Sequence, residues 1–121
     1  KMGRATETEL IQKFGSELQA DVAKMNHHGA STAGGNTKAG SKEWINTTNA
    51  KIYVGMCLNL PEEKQYYAYK ANGAEALHTD LDGTVAVYTS GDGVYEVQVE
   101  QERANNYVGL LDTEDGHMTL K

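Results

Sequence analysis

The sequence predicts an α/β fold, a mixed sheet with helices mainly on one face. Two observations carry this. Helical and strand-like segments alternate as far as His78. Two alternating segments, Thr84–Tyr88 and Val94–Val99, then flank Ser90-Gly91-Asp92-Gly93 as an antiparallel hairpin. One sheet with one helical layer leaves its second face without a partner within the chain.

The first helix is read over residues 7–18. Thr6-x-x-Glu9 has capping-box spacing, and Leu10, Ile11, Phe14 and Leu18 share a face. Gly15 weakens it by about 1 kcal/mol relative to alanine. Asp21–Met25 is a short strand that runs into Asn26-His27-His28-Gly29. Residues 30–40 are small and polar and read as a loop. Ser41 is an N-cap for a short helix that carries Trp44 and Ile45 and ends at Asn49-Ala50. Lys51–Met56 is a largely buried strand. Pro61, Glu62 and Glu63 at one end and Asn72-Gly73 at the other bracket a third helix, with Tyr66, Tyr69 and Lys70 packing downward. Ala74–His78 is the third strand. Residues 1–103 form the domain, and 104–121 are a polar tail with a short strand near Tyr107–Leu111.

Composition narrows the function classes. At 39% apolar the chain buries a modest core, despite 13 glycines. A formal charge of −6 disfavours nucleic acid and anionic membranes, which both want a basic patch. No apolar run approaches the roughly 20 residues of a membrane span. Cys57 is the one cysteine, so there is no intrachain disulfide and no cysteine-rich zinc site. It reads as a plain core cysteine rather than a nucleophile, having no distinct partner.

The sharpest chemical feature is Asn26-His27-His28-Gly29. Neutral imidazole is a good ligand for zinc, iron or manganese, and a strand end holds it rigidly with its tip exposed. Two surface histidines in a turn would look the same. A similar choice attends His78-Thr79-Asp80 at the end of the third strand: pocket-lining groups, or a self-bonding turn made by Asp80, Asp82 and Gly83. Thr84 reads as structural. Asp92 and His117 carry no assigned role.

Residues 20–31, Ala20-Asp21-Val22-Ala23-Lys24-Met25-Asn26-His27-His28-Gly29-Ala30-Ser31, resemble the "ADVLKVxHHGS" segment of a metallo-β-lactamase-like subfamily. That subfamily includes the hydrolase domain of competence DNA-uptake proteins and the phosphorylcholine esterases. Asp80-Leu81-Asp82-Gly83-Thr84-Val85 resembles its "T-D-x-D-G-T-I" turn, and the helix over 7–18 resembles its "E-x-x-L" helix. The matches keep the family's order and spacing over about residues 3–100.

The resemblance implies the C-terminal half of an αββα sandwich from a bacterial, dinuclear, zinc-dependent hydrolase of a phosphodiester or related ester. It also implies that His28 or His27 is a ligand of the second metal, with His28 preferred, and that Asn26, His78 and Asp80 stand near the substrate. The family's H-x-H-x-D-H is absent. Its Gly-Asp bridge belongs at about Lys1-Met2, so the chain is expected to begin at or after it. Cys57-Leu58-Asn59-Leu60-Pro61 replaces the "Gly-His-Pro" of competence relatives, which tilts the likeness toward the esterase branch.

The segment alone is therefore expected to be inactive, with no catalytic residue of its own assigned and with metal absent or weakly held. Its expected partners are the missing N-terminal half or a second copy, meeting the bare sheet face. The rival expectation is a non-catalytic binding module derived from the same fold. Neither export nor the cytoplasm is favoured.

Overall fold

The computed structural model describes residues 4–29, 40–56, 63–101 and 117–120. In chain order these form α1 (Arg4–Phe14), a 3-10 turn (Gly15–Leu18), β1 (Val22–Lys24), α2 (Lys42–Thr48), β2 (Ile52–Gly55), α3 (Glu63–Lys70), β3 (Glu75–His78), the single helical turn α4 (Thr79–Asp82), β4 (Val85–Tyr88), β5 (Tyr95–Val99) and β6 (His117–Leu120). The fold is α/β, as expected, but the strands make two sheets rather than one mixed sheet. β1, β2 and β3 are parallel in that order, and β4, β5 and β6 are antiparallel in that order.

The division follows from side-chain alternation. In the parallel sheet Ala23, Tyr53 and Ala76 lie in register, and so do Val22 and Ile52, and Val54 and Leu77. The first set packs with Ile45 of α2, Tyr69 of α3, Ala74 and Leu81. Ile52, Leu77 and Val54 instead pack with Val85, Val87, Tyr95, Val97 and Val99 of the hairpin. Helices therefore cover one face and the antiparallel sheet covers the other. This corrects the expectation of an uncovered face, because the hairpin folds across the sheet instead of extending its edge. Coverage thins toward the edge strand β1, where Val22 remains 39% exposed.

Local signals hold in most places. Ser41 is extended (φ −63°, ψ 157°), and its hydroxyl accepts from the Trp44 amide at 3.1 Å. Asn49 closes α2 in the left-handed conformation, and its amide donates to the Ile45 carbonyl at 2.9 Å. Tyr69 is buried beneath α3, its ring tilted against Tyr53 at 4.9 Å. In the hairpin turn the Asp92 carboxylate accepts from the Val94 amide at 3.1 Å.

Other expectations need correction. Thr6 lies inside α1, so it is not the cap of that helix. Gly15, at φ 50°, ends the regular part of the helix instead of merely weakening it. Residues 117–120, placed in the polar tail by sequence, pair with β5 as β6. The strand expected near Tyr107–Leu111, together with Cys57, Leu58, Asn59, Leu60 and Pro61, lies outside the described residues. Among the described residues no helix is long and apolar enough to cross a membrane.

Candidate functional site

The chemistry-bearing residues gather at the C-terminal ends of the three parallel strands, the edge where open α/β sheets bind ligands. β1 delivers Asn26, His27 and His28, β2 ends at Gly55, and β3 delivers His78, Asp80 and Asp82. The Met25 amide donates to the Val54 carbonyl at 2.8 Å and carries β1 one residue beyond its last ladder position.

The chain then turns sharply. His27 (φ 49°, ψ 39°) and His28 (φ 58°, ψ 11°) are both left-handed, and Gly29 follows at φ 105°. For a non-glycine residue this region costs roughly 1–2 kcal/mol. Two in succession, neither of them glycine or asparagine, mark a backbone held against its preference, as functional turns often are. The turn leaves His28 exposed and His27 half-buried, with ring centroids 6.4 Å apart and planes at 44°. His27 Nδ1 is buried and has no hydrogen-bond partner in the structure.

Asn26 is buried, and its Nδ2 donates to Glu7 Oε2 at 3.3 Å. Glu7 itself has no exposed surface. Its Oε2 also accepts from the Gly40 amide at 2.9 Å, and its Oε1 from the Ser41 amide at 2.9 Å. These donors replace the water that a carboxyl group loses on burial. Sequence reading passed over Glu7 because it sits within an ordinary amphipathic helix. The one available signal was the glutamate of the "E-x-x-L" likeness.

His78 is fully buried at the end of β3. Its Nδ1 is hydrogen-bonded to the Asp80 carboxylate, and its amide donates to Asp82 Oδ2 at 2.8 Å. The ring lies against Gly55, where an added Cβ would stand 2.3 Å from His78 Cδ2 and 2.9 Å from Nε2. Gly55 is thus required by close approach. The self-bonding turn read for Asp80 and Asp82 is present as α4, closed by the Gly83 amide on the Thr79 carbonyl at 2.9 Å. Thr84 and Glu100 brace it from outside, through Thr84 N and Oγ1 to Glu100 Oε1 at 3.2 and 3.1 Å.

Two imidazoles on one tetrahedral ion, with metal–nitrogen bonds of about 2.0 Å, would place their centroids roughly 5 Å apart. His27 and His28 are farther apart than that. As placed, the pair fits a contribution of one imidazole to a metal site, not a chelate. Among the described residues no group of three or more His, Cys, Asp or Glu side chains is arranged to hold a metal ion.

The chain is 32% identical over 95 residues to "Ulvan lyase, long isoform" of Pseudoalteromonas sp. (strain PLSV), a match covering 64% of this chain and 10% of that protein. It therefore spans about one tenth of the length of the curated relative it matches. No protein-family profile and no solved structure matches the chain.

Proposed function

We propose that this chain is the C-terminal part of a metallo-β-lactamase-like hydrolase that acts on a phosphodiester or related ester. The observation that supports this most is the paired left-handed turn at His27 and His28, set on the ligand-binding edge of a parallel sheet. On this reading one of the two imidazoles, with His28 the more accessible, is a ligand in a two-zinc site completed by residues outside this chain. The metal ions would supply Lewis acidity and a water activated at neutral pH. The chain's own part is placement. The strand end fixes the turn, Asn26 and Glu7 brace it from beneath, and Asp80 holds the orientation of the His78 ring next to Gly55.

The test uses the longer polypeptide that encodes this segment. It should carry H-x-H-x-D-H within about one domain length, roughly 150 residues, upstream of Lys1. It should also turn over bis(p-nitrophenyl) phosphate with zinc and lose that activity in His28→Ala. Absence of the motif together with absence of turnover would overturn the reading.

A second reading is favoured by the match to a tenth of a much larger lyase. Here the chain is a non-catalytic module carried by an enzyme that acts on a polysaccharide. Retardation of the isolated chain in gels containing ulvan, without any zinc-dependent turnover by the parent, would decide for it.

A further inference from the structure

We propose that Glu7 is a positioning residue for the His27–His28 turn. This inference rests on the metal-ligand reading of that turn for its purpose, though not for its geometry.

Among the residues of α1 whose burial is described, the one with no exposed surface is a glutamate, while the apolar Leu10 and Ile11 are only half-buried and Phe14 is 41% exposed. Core packing does not explain this pattern. The carboxylate's partners do. One oxygen receives Gly40 N and Asn26 Nδ2, and the other receives Ser41 N. These donors lie 33, 19 and 34 residues away in sequence. Asn26 is the last residue before the left-handed pair, and Ser41 is the N-cap of α2. A single carboxylate thus ties the start of the histidine turn to the start of α2.

The chemistry is specific to a carboxylate. Both oxygens accept, so glutamine would present an NH₂ group to at least one existing donor, whichever way its amide is oriented. Aspartate is one methylene shorter and does not reach both partners from the same backbone. A buried carboxylate with three donors is therefore a brace that neither conservative substitution reproduces. It acts on the histidines through Asn26, whose side chain it holds immediately before the left-handed pair.

The test compares Glu7→Gln, Asn26→Ala and the exposed-site control Glu9→Gln in the whole chain by NMR. Positive φ gives a strong intraresidue NOE between amide and Hα protons. In the unsubstituted chain and in Glu9→Gln, both His27 and His28 should show it. In Glu7→Gln both should lose it, and in Asn26→Ala at least His27 should, while the strand resonances stay in place. Asn26→Ala leaves Glu7 its two backbone donors, so it decides the question if Glu7→Gln does not fold. Folded variants that keep both NOEs would overturn the proposal.

Zinc titration of the longer polypeptide that encodes this segment, carrying the same substitutions, separates the two readings. There zinc should shift one histidine ring, with on the order of tenfold weaker affinity in Asn26→Ala, as is usual for residues that orient a ligand. If zinc shifts neither ring, the metal-ligand reading fails. The NOEs still judge Glu7.

Discussion

At the C-terminal ends of β1, β2 and β3 the chain buries Glu7, Asn26, His78 and Asp82 and turns two histidines left-handed. At the N-terminal ends of the same strands the construction is plain. Asp21 and Lys51 stand just before β1 and β2, and the Lys51 amide donates to the Asp21 carbonyl at 2.9 Å. Tyr95 of β5 donates its hydroxyl to the Asp21 carboxylate, and Lys51 Nζ lies 5.2 Å above the Tyr95 ring. That end is a surface latch between the two sheets, made of groups that water would also satisfy. The other end buries Glu7, Asn26, His78 and Asp82 in hydrogen bonds and leaves the buried His27 Nδ1 without a partner. Two edges of one sheet share a backbone geometry, so the difference lies in the side chains and turns that each carries: strain and buried polarity concentrate at one of them.

The largest effect should come from filling the close approach at the C-terminal edge. Gly55→Ala drives a methyl into the buried His78 ring and up to Met25 Sδ. Urea melts should show a loss of about 3 kcal/mol, as overpacked cores do. A near-neutral result would mean that the ring moves freely and that this edge is less tightly built than its packing implies.

Asp82→Ala removes the acceptor for the His78 amide at a fully buried position. A loss of about 2 kcal/mol is expected, the usual penalty for a buried group left unsatisfied. The same melts measure it, and an effect confined to a few tenths would place the Asp82 carboxylate outside the edge's polar network.

The sign reverses at the turn. His27→Gly and His28→Gly should each raise stability by about 1 kcal/mol, because glycine adopts positive φ without the Cβ clash. Gain of stability with loss of zinc-dependent shifts would be the mark of residues kept for function. A loss of stability in both would show that the imidazoles themselves hold the turn.

The smallest effect belongs to the latch, and it is a pH dependence. The hydrogen bond to Asp21 raises the Tyr95 pKa above its ordinary 10.0, with burial and the negative charges of Asp21 and Asp92 adding to it. The folded state therefore holds the phenol proton more tightly than the unfolded state. The resulting stability is fully present below about pH 10 and is lost as pH rises through that value toward the folded pKa. Tyr95→Phe should flatten this slope in melts taken from about pH 9 to 11. An unchanged slope would remove Tyr95 from the latch.

What the sequence determined by itself was local. Ser41, Asn49 and the Asp92 turn act within a few residues, and strand alternation records which side chains share a face, so α2, α3, the three parallel strands and the hairpin were legible. The position of the histidine pair at a strand end was legible too. Only the tertiary structure decided the rest. Alternation does not say which element covers a face, so the separate antiparallel sheet over Ile52, Val54 and Leu77 could not be read from the pattern. The left-handed conformation of two successive histidines is uncommon for residues with a Cβ, and no local signal in the sequence marks it. Glu7 looks like any helical surface glutamate until the fold brings it donors from Asn26, Gly40 and Ser41. A buried carboxyl group is defined by its partners, and partners far along the chain leave no trace in local periodicity.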